Sequence, residues 1–269
     1  MNNSVFAVLM AAGCAGILLS FARARSRAVF AQDGFTQPGR RAAGVVLLAA
    51  VLLLTVAIPF AAGLAGGQPE AKKFTLVSLF AVHALLVLFL VLYYALSRRE
   101  PVADFLKLRS ARPAADALAG IWIGLAGWLL TILALIAVVL VWYVLRRQGL
   151  AATPPRGVNP TILWLVSRPL AVRIAIVISA MLFEELFFRS FLQTRVGPVA
   201  ATLMFTAAHG VYGQPLALVG IFVISAVLSA AFVLYGNVLP CIVAHGVFDA
   251  IQMFVLIPLS LNQMGPAGG

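Results

Sequence analysis

The chain has 269 residues, of which 63% are hydrophobic and only 10% are charged, and its mean hydropathy is +1.06. A soluble domain has about a quarter charged residues, so the composition excludes that class and indicates an integral membrane protein. The net charge of +11 does not indicate a nucleic-acid partner, because the basic residues cluster in short loops, where they orient segments and contact anionic lipid. Cys14 and Cys241 lie in apolar runs and are expected to be core residues.

The apolar runs predict an all-α, polytopic transmembrane bundle of about eight helices. No Lys or Arg precedes the first run, which favours a retained helix over a cleaved signal peptide. A basic surface connector is expected at 100–116 and a flexible tail at 259–269. The run at 199–209 is expected to be too short to cross fully. In chain order, the predicted runs are 5–21, 42–64, 74–96, 117–145, 170–192, 199–209, 216–235 and 238–258.

The basic loops do not assign one side of the membrane. With the N-terminus outside, the basic residues at 23–41 and 98–112 fall together inside, but those at 146–173 fall outside. The positive-inside rule therefore favours opposite orientations for these two groups of basic residues. We expect the inner membrane of a bacterium and assign no sidedness.

Two adjacent glutamates lie near the middle of the fifth run. Glu184 is eleven residues from both Arg173 and Arg195, and a charge at that depth costs about 2.5–3.5 kcal/mol, so the pair indicates a functional site. Glu185 and Arg189 stand at i,i+4 and can neutralise each other, either as support for catalysis or as a structural ion pair. Glu184 has no cation nearby in sequence, which favours a general base or metal ligand over a protonated interhelical carboxylate.

The histidines carry the second signal. Phe205 precedes His209 by one helical turn, so its ring can pack on the imidazole. His245 and Asp249 stand at i,i+4, where the carboxylate can accept from one ring nitrogen and fix the tautomer. His83, in the third run with no acid near it in sequence, is interpreted as a structural residue.

Glu184, His209 and His245 come from three predicted helices, and two chemistries are open to them. As a His-His-Glu set they could hold Zn²⁺ and a water that attacks a carbonyl. Without a metal, Glu184 would act as base and His209 as its partner, while His245 with a neighbour would donate to the oxyanion. An ionised Asp249 cannot donate a hydrogen bond, so it suits orienting His245 or binding a metal.

Three motifs in order carry a family resemblance: Glu-Glu-x-x-x-Arg at 184–189, Phe-x-x-x-His at 205–209 and His-x-x-x-Asp at 245–249. They resemble the motifs of the CAAX-protease and bacteriocin-processing family (CPBP, or Abi), intramembrane endopeptidases similar to the type II CAAX prenyl endopeptidases. The resemblance covers roughly 115–258, as a catalytic helical core, and residues 1–114 contribute only membrane spans to it.

The resemblance implies a role for each matching residue. Glu184 would be the catalytic base, Glu185 and Arg189 its support, and His209 its partner. His245 and Asp249 would polarise the scissile carbonyl or complete a metal site. The third motif of the prenyl endopeptidases usually ends in asparagine, so Asp249 departs from the amide-type oxyanion role.

We therefore expect a membrane endopeptidase that cleaves a membrane-associated or lipidated CAAX-like protein or a leader peptide, with Zn²⁺ as its cofactor in the metal-dependent alternative and no cofactor in the other. Its other partner is membrane lipid, and no nucleic acid is expected. The alternative is a non-enzymatic immunity or scaffold protein, or an ion-coupled transporter, of the same helical type. A transporter usually has broken helices in both halves, whereas the polar residues here are confined to the second half, which favours the enzyme.

Overall fold

The computed structural model describes residues 33–35, 37–64, 75–97, 100–150 and 160–259. Helices and turns account for the described residues, and no strand occurs among them, which confirms the all-α prediction. Five helices in this part of the chain are long and apolar enough to cross a membrane. The helices are α1 Pro38–Leu52, α2 Ile58–Leu64, α3 Leu76–Ser97, α4 Val102–Phe105, α5 Pro113–Arg147, α6 Pro160–Val166, α7 Leu170–Glu185, α8 Pro198–Ala208, α9 Pro215–Tyr235 and α10 Leu239–Ile251.

The apolar runs predicted α1–α3, α5 and α7–α10 with small errors at their ends, whereas α4 and α6 lie in none of the predicted runs. The predicted run at 199–209 forms α8, whose 11 residues span about 17 Å and cannot cross a hydrocarbon layer of roughly 30 Å. The connector at 100–116 packs against the bundle. Its Phe105 is buried and contacts the Tyr93 ring of α3. The first predicted run, Cys14 and all but the first residue of the predicted tail lie outside the described residues.

Proline and glycine set several helix ends. Pro113, Pro198 and Pro215 each begin a helix, where the missing N–H has no intrahelical partner and the fixed φ suits the first turn. Gly197 has a φ of +87° and Gly236 a φ of +67°, conformations that favour glycine over residues with a Cβ. The predicted breaks before α8 and after α9 therefore have a backbone cause.

In the described part of the chain, three segments have π-helical hydrogen bonding: Leu53–Ala57, Leu186–Gln193 and Gln252–Leu256. The first joins α1 to α2 and the third extends α10. The second follows directly on Glu185 and carries Arg189. Such segments occur frequently at functional sites, because each shifts the faces on which later side chains lie.

An aromatic core joins the N-terminal helices to the second half of the chain. Phe89 of α3 packs edge-on against Phe187 and Phe191, with ring centroids 5.5 and 5.0 Å apart. Both of these phenylalanines are fully buried. The first half of the chain therefore supports the helix that carries the two glutamates.

The backbones of α2 and α5 approach the second half closely at glycines. A Cβ at Gly63 would overlap the Gly210 carbonyl, in the turn after His209. In α5, a Cβ at Gly120 or Gly124 would lie 2.7 Å from a backbone carbonyl oxygen of α10. Small residues allow such contacts between membrane helices. The glycines therefore position the two segments that carry the predicted site histidines.

A buried ion pair joins Asp33 to the three-residue helix Thr194–Val196, which follows the π-helical segment that ends at Gln193. Arg195 donates from Nε and Nη2 to the two carboxylate oxygens of Asp33, and the Tyr93 hydroxyl donates to Asp33 Oδ2 at 2.6 Å. The guanidinium lies 3.9 Å from the centroid of the Phe191 ring. These contacts satisfy the charges away from water.

Candidate active site

Glu185 is enclosed and both of its oxygens have partners. Its side chain is 0% exposed. Arg189 donates from Nε to Oε2 at 3.1 Å, and His245 donates from Nδ1 to Oε1 at 2.8 Å. Arg189 also donates to Ser225 Oγ at 3.1 Å. The predicted Glu185–Arg189 contact is confirmed, and the carboxylate lies between two hydrogen-bond donors.

Glu184, one residue earlier, lies in a different environment. Its side chain is 15% exposed, and its two oxygens face two different imidazoles. Oε1 is 3.4 Å from His83 Nε2, and Oε2 is 3.8 Å from His209 Nε2. Of the two adjacent carboxylates, that of Glu185 is hydrogen-bonded on both oxygens and that of Glu184 is accessible.

His209 is oriented by the helix that precedes it. Its Nδ1 donates to the Phe205 carbonyl oxygen at 2.8 Å, so the neutral ring presents a lone pair at Nε2. The Phe205 ring lies 4.6 Å from the imidazole, centroid to centroid, at an interplanar angle of 33°, which confirms the predicted packing. The 3.8 Å between His209 Nε2 and Glu184 Oε2 is too long for a direct hydrogen bond and is a spacing that water can bridge.

His245 lies between two carboxylates. The predicted contact with Asp249 is present, with Nε2 3.4 Å from Oδ2. The contact of Nδ1 with Glu185 is one that spacing along the chain did not predict. Asp249 is the more open partner, with 31% of its side chain exposed. The ring therefore links the buried ion pair to the accessible side of the site.

His83 is a further neighbour of Glu184. Every one of the three histidines in the chain lies within 4 Å of Glu184 or Glu185, including His83, which was interpreted as structural. Glu184, which has no cation nearby in sequence, has two imidazoles beside it in space. The His83 contact joins residues 101 positions apart, so local spacing carried no signal of it.

Tyr212 is a second neighbour that sequence reasoning missed. It ends the single 3₁₀ turn after His209, and its ring centroid lies 5.9 Å from that imidazole. Burial, together with the charges of Glu184 and Asp249, raises the pKa of its phenol. The only sequence signal was its position in Gly210–Gly213, which is too short a pattern to identify a site residue.

The predicted zinc site requires Glu184, His209 and His245 to present donor atoms to one point. No group of three or more His, Cys, Asp or Glu side chains is placed to hold a metal ion within the described part of the chain. Both nitrogens of His245 face other carboxylates, Glu185 and Asp249, so that ring does not complete a set with Glu184 and His209. The side chains as arranged do not fit the predicted zinc site.

Comparison with known proteins adds one match. Residues 166–251 match a family model described as Type II CAAX prenyl endopeptidase Rce1-like, which confirms the resemblance and supports a CAAX-type protease in general terms. No curated protein and no solved structure was found to match. The matched segment is narrower than 115–258. It contains the six predicted site residues, and His83 lies outside it.

Proposed function

We propose that this chain, whose residues 166–251 match the model of the type II CAAX prenyl endopeptidase family, hydrolyses a peptide bond of a membrane-associated or lipidated, CAAX-like protein or a leader peptide. One observation carries the proposal. Of two adjacent glutamates, Glu185 is 0% exposed and bonded on both oxygens, whereas Glu184 is 15% exposed beside an imidazole lone pair. This is the arrangement that a general base requires.

Glu184 and His209 together can hold the attacking water. The Glu184 Oε2 and the His209 Nε2 both accept hydrogen bonds and lie 3.8 Å apart, so one water can donate a hydrogen to each. Glu184 takes one of these protons as the water oxygen bonds to the scissile carbonyl carbon. His209 orients the water through the other.

His245 supplies the donor for the oxyanion. It donates from Nδ1 to Glu185 at 2.8 Å, and its Nε2 lies 3.4 Å from Asp249 Oδ2, at the accessible side. Donation from both ring nitrogens requires a hydrogen on each, so His245 acts as an imidazolium between these two carboxylates. A substrate carbonyl oxygen beside Asp249 accepts a hydrogen bond from Nε2–H as negative charge develops, and the proton stays on His245. When the C–N bond breaks, Glu184 returns its proton to the amine nitrogen, so one water is consumed for each bond cleaved.

Glu185 and Arg189 serve this chemistry as support. Removing either partner would leave the other buried without its counter-charge, which is strongly destabilising. Their pairing fixes the His245 ring through Nδ1 and the Arg189 guanidinium 5.0 Å from the Phe205 ring centroid. The support therefore reaches both histidines.

Water has to reach this depth through a polar cavity, because lipid cannot satisfy these groups. Glu184, His209 and Asp249 are the site side chains with the largest exposed fractions, 15%, 20% and 31%. They form the accessible side of the site. A substrate with an apolar or lipidated tail would approach this side laterally, between helices.

The test compares Glu184→Ala and His209→Ala with wild type in a fluorogenic peptide assay on purified, full-length protein. We expect both variants to lose cleavage while they insert and fold normally. Glu100→Ala is the matched control, because Glu100 is exposed in the connector, and it should cleave at the wild-type rate. Full activity of both site variants would remove the catalytic assignment and leave the scaffold or transporter alternative.

A further inference from the structure

We propose that His83, which lies outside the family-matched segment, is a positioning residue of this active site. It holds one oxygen of Glu184 so that the other oxygen faces the water. The proposal rests on the proposed function, since it assumes that Glu184 is the base. It also gives the N-terminal half of the chain a part in catalysis beyond membrane spans.

The geometry fixes the ring against one carboxylate oxygen. His83 Nε2 donates to Glu184 Oε1 at 3.4 Å, and the side chain is only 7% exposed. Two aromatic rings flank the imidazole, with the centroids of Phe80 and Phe183 at 6.5 and 6.2 Å. The ring therefore has little freedom to turn away from Glu184.

Among the described residues, the other ring nitrogen has no hydrogen-bond partner. His83 Nδ1 is buried and unsatisfied there, which is costly in a folded protein. In this part of the chain the ring therefore makes its hydrogen bond through Nε2, to Glu184, and Nδ1 has no described neighbour to which it could pass a proton. His83 thus acts as a fixed donor and not as a relay.

The contact determines which Glu184 oxygen does chemistry. With Oε1 accepting from His83, Oε2 is the oxygen that faces His209 at 3.8 Å. Without the donor, the carboxylate can rotate and present either oxygen in several directions. A displacement of about 1 Å from the productive geometry can cost about 10²-fold in rate. Loss of His83 should therefore reduce kcat more than it raises KM.

The test uses three substitutions in the full-length protein: His83→Gln, His83→Asn and His83→Leu. The Gln amide nitrogen lies near the position of Nε2, whereas the Asn amide nitrogen lies near that of Nδ1, so only Gln keeps a donor within reach of Glu184. We expect His83→Asn and His83→Leu to lower kcat by about 10²-fold with little change in KM. His83→Gln should retain most of the wild-type kcat.

Two controls separate positioning from packing. Phe80→Leu alters the packing around the imidazole but removes no polar contact, and it should keep kcat. The melting temperature of each variant is measured in the same detergent. If His83→Leu does not fold, the Gln and Asn pair still decides the question, because both are polar and similar in size.

A wild-type kcat in His83→Asn would overturn the proposal. It would also be overturned if His83→Gln and His83→Asn lost kcat equally and in proportion to the fall in their melting temperatures. Glu184→Gln is run beside them. If Glu184→Gln is inactive and His83→Asn is fully active, the positioning role alone fails. If Glu184→Gln is active, the proposed function itself fails.

Discussion

At the scale of single residues, two neighbouring glutamates have opposite environments. Glu185 is fully enclosed between Arg189 and His245, and Glu184 is accessible between two other imidazoles. Stability and activity should therefore separate at these adjacent positions.

Glu185→Gln should lower the free energy of unfolding by about 3–5 kcal/mol, because it leaves the buried Arg189 without its counter-charge. Glu184→Gln should change the free energy of unfolding far less and should abolish cleavage. Thermal unfolding in detergent, run beside the peptide assay, measures both quantities. A stable Glu185→Gln together with an unstable Glu184→Gln would contradict the division of roles.

Asp249→Asn should keep kcat/KM within about tenfold of wild type. The oxygen of the new amide still accepts a hydrogen bond from His245 Nε2, and the amide nitrogen can donate one to the oxyanion. Asp249→Ala removes the acceptor and should lose more, about 10²-fold. The ratio of kcat/KM between the two variants is the measurement. Equal activities would show that the side chain at 249 has no part in orienting His245.

Cleavage should be insensitive to a strong chelator, because the described side chains do not form a zinc-ligand set. The assay is run on purified protein with and without the chelator, beside metal analysis of the same sample. Loss of activity that added Zn²⁺ restores would reinstate the predicted His-His-Glu site.

Spacing along the chain predicted the local contacts of the site and missed the distant ones. Glu185 with Arg189 and His245 with Asp249 both follow from i,i+4 geometry. The contact of Glu185 with His245 joins positions 60 apart, and that of Glu184 with His83 positions 101 apart. Both depend on which helices pack together, which a single sequence does not encode as a periodic pattern.

At the scale of helices, apolar length predicted the spans, and proline and glycine predicted the breaks. The π-helical segments were not predicted, because a turn that holds one more residue changes neither the composition nor the residue count of the apolar run that contains it. Close approach was also missed. In the sequence, nothing distinguishes Gly124 from the other small residues of its apolar run. In the structure, it allows α5 to contact the backbone of α10.

Gly124→Ala should destabilise the protein by about 1–3 kcal/mol and lower activity, because the added Cβ has to displace α10, which carries His245. Gly39→Ala is the matched control, since a Cβ there would have nothing within 4 Å. Melting temperature and cleavage rate are compared for the two variants. Equal effects at both glycines would contradict the role of this helix contact.

At the scale of the whole molecule, the two halves of the chain form one structure around the site. Phe89 packs with Phe187 and Phe191, and Asp33 pairs with Arg195. The sequence division at residue 114 treated the first half as membrane spans alone. In the structure, that half supplies the core behind the glutamates and a histidine beside Glu184.

The central claim is that Glu184 activates a water that adds to a peptide carbonyl. The most direct test is mass spectrometry of the cleavage product formed in H₂¹⁸O by wild type and by Glu184→Gln. The account predicts one ¹⁸O in the new carboxylate of the wild-type product and no product from the variant. Product formed by Glu184→Gln at the wild-type rate would contradict it.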